Sequence, residues 1–110
     1  MNDQDIEKEI QDKGLTAPRV TPTRIEGRIV KEQYHVFEGS TFTSCLLTLD
    51  NGFTVHGESA CASPENFDIE LGKKISRDNA KNKIWMLEGY LLREKLSSTG
   101  VGAAGNTYSD

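Results

Sequence analysis

The fold is decided by residues 41–96, which read TFTSCLLTLD NGFTVHGESA CASPENFDIE LGKKISRDNA KNKIWMLEGY LLREKL. Their first part is rich in Thr, Leu and aromatic residues on both sides of Asn51 and Gly52, a pair typical of a hairpin turn. No proline follows Pro64, and apolar residues then recur at spacings of three and four up to Leu96. This is the pattern of one amphipathic helix. We therefore predict a β-hairpin that leads into one long helix.

The turn decides which residues of the two strands face each other. A two-residue loop would place Leu47 opposite His56, whereas a three-residue loop with Gly52 in the left-handed conformation would place Leu47 opposite Val55. A slip of one residue exchanges the two faces of a strand, and only the second register gathers the apolar side chains on one face. We predict the three-residue loop, with these residues facing inward: Cys45, Leu47, Leu49, Phe53 and Val55.

The remaining segments complete a small domain. Ile6 and Ile10 give a thin apolar stripe to a first helix, and Thr21 followed by Pro22 is typical of the start of a second one. Residues 30–38 have strand character. The predicted fold class is α+β, with two short N-terminal helices, a three-stranded antiparallel β-meander and one long C-terminal helix packed on the sheet.

The predicted long helix opens at Ser63 and Pro64, and its apolar stripe includes Leu71, Ile75, Ala80, Ile84 and Leu91. Residues 97–110 are mostly Ser, Thr, Gly and Ala, which have little to bury, so we expect a disordered tail. The predicted organisation is an N-terminal helix and linker (1–20), a single α+β domain (21–96) and the tail (97–110).

Composition limits the class of protein. The net charge is −4 over 110 residues, which is unlike the basic footprint of a general nucleic-acid coat. The two cysteines, Cys45 and Cys61, form no C-x-x-C motif, so we expect free thiols in a reducing cytosol, with a disulfide as the alternative. The acidic start and the lack of a long apolar run predict a cytoplasmic protein with no membrane partner. We expect no metal and no cofactor.

The sequence contains no catalytic signature. Phosphate-loop, G-x-S-x-G and H-E-x-x-H motifs are absent. His56 and Glu58 suit a surface pair on a strand, and in the favoured register Cys45 points to the opposite face from His56. We therefore expect no catalytic residues and no enzyme activity.

A basic ridge is predicted on the long helix. Lys73, Arg77 and Lys81 recur every four residues, with Lys74 beside them, so these side chains would line one helical face. They are candidates for binding the phosphates of a nucleotide or nucleic acid. The alternative is a solvated face partly neutralised by Asp78 and Glu70.

The predicted long helix should also extend beyond the sheet. About thirty residues span roughly 45 Å, more than three strands cover. Trp85, Tyr90 and Leu92 near its end are therefore candidates for contact with the N-terminal helices or with an oligomer or partner interface. We predict a homo-oligomer, most simply a dimer through this helix. Asp78, Asn79 and Asn82 interrupt the apolar stripe, either at the rim of the sheet or in a polar pocket.

Several segments together resemble the N4/Sf6-type family of small tailed-phage and prophage proteins. They are GLTAPRVTP (14–22), LTLDNGFTV (47–55), GESAC (57–61), NFD (66–68) and IWMLEGYLL (84–92). The resemblance implies a phage or prophage accessory gene expressed in a bacterial cytoplasm. It implies no reaction and no particular functional residue.

The expected function is a non-catalytic phage accessory protein that binds and neutralises a host component. That component would be a defence or regulatory protein, or a small nucleotide held on the basic ridge. The alternative is a nucleic-acid-binding module, since the order helix, three strands, helix resembles double-stranded RNA-binding domains. The acidic composition disfavours this alternative.

Overall fold

The computed structural model describes residues 3–15 and 17–98. Its elements are α1 (Asp3–Asp12), α2 (Pro22–Arg28), β1 (Ile29–Val36), β2 (Phe42–Leu49), β3 (Thr54–Ala60), a 3-10 turn (Pro64–Asn66) and α3 (Ile69–Ser98). The sheet is antiparallel in the order β1-β2-β3, and α3 lies across one face of it. The predicted α+β class and element order are therefore confirmed.

The hairpin between β2 and β3 has the predicted register. Leu47 pairs with Val55, and the Leu49 amide donates to the Phe53 carbonyl at 2.8 Å. The loop is closed by Gly52 at a φ of +89°, a left-handed conformation that glycine adopts without steric cost. Local turn chemistry was sufficient to predict how the residues of these two strands pair.

Most of the predicted inward residues form the core. Cys45, Leu47, Leu49 and Val55 are buried together with Ile25 of α2. The exception is Phe53, whose side chain is 55% exposed. Phe53 sits at the end of the hairpin, beyond the last helix-covered pair of residues, so it reaches the rim of the core rather than its interior.

Side-chain caps mark where α2 and α3 begin. Thr21 Oγ1 accepts from the Arg24 amide at 3.2 Å, which confirms the predicted start of α2. The predicted start of the long helix at Ser63 was wrong. Ser63 makes no side-chain cap, and Asp68 Oδ1 instead accepts from the Glu70 amide at 2.9 Å, so that α3 begins at Ile69.

The orientation of α3 differs from the predicted one. Ala80 and Ile84 are buried as predicted, but Leu71, Ile75 and Leu91 are largely exposed. The side chains that face the sheet instead follow every fourth position, which we call the sheet-facing row: Gly72, Ser76, Ala80, Ile84 and Glu88.

Close contact between helix and strand explains this row. A Cβ atom added to Gly57 of β3 would lie 2.3 Å from both the Ala80 nitrogen and the Ser76 carbonyl oxygen. One added to Gly72 would lie 2.7 Å from Thr43 Oγ1. Only small residues fit where two backbones approach this closely, so the larger apolar side chains of α3 lie to either side.

The C-terminal boundary also extends past the prediction. α3 ends at Ser98 rather than at Leu96. The predicted disorder of the tail otherwise concerns residues 99–110, which lie outside the described residues.

Substitution of Gly57 by alanine should destabilise the protein by about 3 kcal/mol, because the new methyl group would collide with helix backbone that cannot move independently. The matched control is Gly89→Ala, which lies on α3, the helix that Gly57 of β3 contacts. A Cβ there meets nothing within 4 Å, and alanine is the better helix former by up to about 1 kcal/mol. Urea denaturation of both variants measures the difference. Equal stability of Gly57→Ala and wild type would contradict the close contact.

Candidate binding surface

α3 presents three sides besides its ends. The sheet-facing row packs on β2 and β3. A second side carries charged residues and Trp85 toward α1 and α2. The third side, which we call the apolar band, carries Leu71, Ile75, Met86 and Tyr90, whose side chains are between 42% and 72% exposed.

Arg77 of the predicted basic ridge is held by two glutamates. Its guanidinium donates to Glu26 Oε1 of α2 at 2.9 Å and to Glu32 Oε2 of β1 at 3.0 Å. Its side chain is mostly buried. Arg77 therefore ties α3 to both neighbouring elements.

The other ridge residues differ in their surroundings. Lys81 lies 3.4 Å from Asp3 and 3.5 Å from Glu26. Lys73 lies 3.9 Å from Glu70 and 5.6 Å from the centre of the Tyr34 ring. Lys74 is exposed. The four cations do lie along one part of the helix, but two of them have carboxylates from distant segments as close partners. Binding of an anion by Lys73, Lys74, Arg77 and Lys81 stays a prediction.

Arg77 changes the pKa values of the two carboxylates that bind it. Hydrogen bonds from Arg77 are the main cause that lowers the pKa of Glu26 and the pKa of Glu32 below the ordinary value of 4.5. The same two partners raise the pKa of Arg77. All three groups are therefore charged at neutral pH.

A second charged cluster was not found from the sequence. Glu88, only 5% exposed, accepts a hydrogen bond from Arg24 Nε at 3.0 Å. Arg28 Nε lies 3.2 Å from the other oxygen of Glu88, off the hydrogen-bond direction, and Arg28 also lies 3.0 Å from Asp50. The cluster joins α2, α3 and the hairpin turn. Its signal in the sequence was the position of Glu88 in the four-residue repeat of the sheet-facing row.

The three interface candidates have different environments. Trp85 packs on the core, and its Nε1 donates to Asp3 Oδ2 of α1 at 3.2 Å. Leu92 is half-buried. Tyr90 is 69% exposed, and Met86, one turn earlier, is 72% exposed. Contact with the N-terminal helices thus accounts for Trp85, whereas Tyr90 lies on the open surface.

The apolar band is extended at one end by the hairpin turn. Tyr90 and Leu91 line a cleft of about 190 Å³ together with Phe53 and Leu49. Leu71 and Tyr90 are nineteen positions apart, or about 28 Å along the helix. The exposed residues Asn79 and Asn82 separate Leu71 and Ile75 from Met86 and Tyr90, and the aromatic side chains lie at the second end.

The polar residues that interrupt the helix stripe lie at the rim. Asp78, Asn79 and Asn82 are exposed, as one of the two predicted alternatives required. Asn79 Nδ2 donates to the Glu58 carbonyl of β3 at 2.8 Å. This bond fastens α3 to the outer strand next to Gly57.

Groups with chemical reactivity are kept apart. Cys45 faces α3 and is buried, and burial raises the pKa of its thiol. His56 pairs with Leu46 on the open face of the sheet and lies 3.7 Å from Glu58. Both cysteines are free thiols. Within residues 3–15 and 17–98, no group of acidic, histidine or cysteine side chains is arranged to hold a metal ion.

Comparison with known proteins defines the class to which this fold belongs. The model of the Phage protein (N4 Gp49/phage Sf6 gene 66) family matches residues 20–96, well over half of the chain. The chain therefore belongs to this family of phage proteins, as the resemblance of its segments implied. The match contains α2, the sheet and most of α3, and it leaves α1 outside. No curated protein and no solved structure matches the chain.

Among the helices in the described part of the chain, none is both long enough and apolar enough to cross a membrane.

Replacing Glu88 with glutamine should cost about 3 kcal/mol of stability, because the buried side of Arg28 would lose its counter-charge. The matched control is Glu94→Gln, an exposed position on the same helix, where a change within about 0.5 kcal/mol is expected. Thermal and urea denaturation measure both. A Glu88→Gln variant as stable as the control would show that the cluster contributes nothing.

Stability should fall on acidification below about pH 4.5. Because Glu26 and Glu32 have lowered pKa values in the folded state, the unfolded chain takes up protons first. Their contribution is therefore complete above the ordinary value of 4.5 and disappears as the pH falls through the folded-state values.

Arg77→Gln should reduce this pH dependence, since it removes the main cause of both lowered pKa values. The control is Lys74→Gln, which removes an exposed cation of the same helix. Urea denaturation over a series from about pH 7 to about pH 3 makes the comparison. A pH dependence in Arg77→Gln equal to that of the wild type would contradict the role given to Arg77.

Proposed function

We propose that this phage protein is a non-catalytic accessory protein that binds a bacterial host protein through the apolar band of α3. Binding would neutralise a defence or regulatory protein of the host, so the protein would serve host takeover or counter-defence. The proposal is one of surface recognition and requires no cofactor.

The observation that carries the proposal is the exposure of the band. Met86 and Tyr90 are exposed near the end of α3, and Leu71 and Ile75 are exposed near its start. Met86 and Tyr90 are one turn apart, and a cluster of exposed apolar side chains on a small protein typically marks an interaction site. Aromatic and methionine side chains are also enriched in protein interfaces. Phe53 adds a second aromatic side chain beside Tyr90.

Charge placement favours a protein over a nucleotide or a nucleic acid. Arg77 and Lys81 contact carboxylates of α1, α2 and β1, so an incoming phosphate would have to displace these partners. The net charge of −4 opposes approach to a polyanion. The band, by contrast, presents neutral and apolar groups that a protein surface can cover directly.

The test is affinity capture from bacterial lysate with the full chain at high salt. We expect one host protein to be recovered stoichiometrically with the wild type and lost with the double substitution Met86→Glu and Tyr90→Glu. The matched control is Leu15→Glu with Val30→Glu, which charges two exposed apolar residues away from the band. The control should capture the same protein as the wild type.

Light scattering on the same samples measures the homo-oligomer predicted from the sequence. If the wild type is a dimer that the Met86 and Tyr90 substitutions make monomeric, and no host protein is captured, the band serves self-association and the proposal is wrong. Salt-sensitive recovery of bulk RNA would contradict it as well, and would favour the nucleic-acid-binding alternative.

A further inference from the structure

A groove lies between α1 and α3. It encloses a cavity of about 330 Å³. Its walls are mainly apolar, with Ile6 and Ile10 on α1, Val20 and Pro22 at the start of α2, and Trp85 on α3. The two isoleucines of α1 leave much of the space between these walls unfilled.

α1 is attached to this groove by polar contacts rather than by packing. None of its residues is buried, and Ile6 remains 44% exposed. Arg19 donates to both carboxylate oxygens of Glu7, at 2.5 and 2.7 Å. Asp3 accepts from Trp85 Nε1 and lies 3.4 Å from Lys81.

Such contacts hold a short helix at only a few points. A helix of ten residues is marginally stable without packing, so the attachment of α1 depends strongly on the two-bond pair of Glu7 and Arg19, whose side chains are 15% and 24% exposed. The rest of the groove does not depend on α1. Val20, Pro22 and Trp85 all lie within the residues that match the phage family, whereas α1 precedes them.

We infer that α1 is a displaceable strap over a groove that binds an amphipathic helix of a partner protein. The shape of the site is that of a helix, because a helix already lies on it. The contacts of α1 indicate which groups a partner helix would need. Two apolar side chains four residues apart would lie beside Trp85, and acidic side chains would contact Arg19 and Lys81 at the edges of the groove. A partner helix with larger apolar side chains would fill the cavity better than Ile6 and Ile10 do.

This site is separate from the proposed function. The groove is lined by other residues than Met86 and Tyr90. Its test therefore does not depend on what the apolar band binds.

The test uses the full chain and a synthetic peptide of residues 3–15 as the probe. Trp85 is the one tryptophan of the sequence, so its fluorescence reports occupation of the groove. In the wild type the cis α1 competes with the peptide. Loosening the strap with Glu7→Gln should therefore tighten peptide binding by about tenfold or more, since the apparent affinity follows the fraction of open groove.

The matched control is Glu9→Gln, because Glu9 is exposed and lies 3.7 Å from Lys13, one turn further along the same segment. It should bind the peptide as weakly as the wild type does. Asp3→Asn provides a second loosened variant, and a peptide with Ile6 and Ile10 replaced by serine should fail to bind either one. Circular dichroism checks that each protein variant is folded.

Three results would overturn the inference. The first is equal peptide affinity for Glu7→Gln, Asp3→Asn and wild type. The second is equal binding of the serine-substituted peptide, which would reduce recognition to charge. The third is quenching of Trp85 by a small apolar dye but not by the peptide, which would assign the groove to a small molecule instead.

Discussion

The close approach of the α3 backbone to β3 at Gly57 governs the arrangement of this protein. There is no room for a side chain between the strand and the helix at Ser76 and Ala80. The helix must therefore turn its smallest residues toward the sheet. Because the rotation of a helix about its axis is a single variable, this one contact also decides where every other side chain of α3 points.

The two remaining sides of α3 follow from that rotation. Leu71, Ile75, Met86 and Tyr90 are turned outward on one side, where they form the apolar band. Arg77, Lys81 and Trp85 are turned toward α1, α2 and β1, where acidic side chains meet them. The apolar band and the ion pairs of Arg77 and Lys81 thus have the same geometrical cause. Both consist of side chains that are too large to lie between α3 and the sheet.

Local signals made much of the fold predictable. Gly52 fixed the hairpin register, and Thr21 with Pro22 fixed the start of α2, because a turn or cap depends on a few neighbouring residues. The rotation of α3 was not predictable in the same way, since the close contact at Gly57 has no periodic signature. Similarly, the cations of α3 showed their spacing in the sequence, but Glu26 and Glu32, which hold Arg77, lie 51 and 45 positions away.

The hydrogen bond between Asn79 and the Glu58 carbonyl has a consequence for the open edge of the sheet at β3. In the register of β2 and β3, Glu58 is a non-hydrogen-bonded partner of Ser44, so its carbonyl points outward from the sheet. Outward carbonyls of this kind are templates on which a strand from another molecule can add. Because the Asn79 amide already occupies this one, a foreign strand would have to break a formed bond before it could extend the sheet. The helix that carries the apolar band therefore also guards the neighbouring strand against edge-to-edge aggregation.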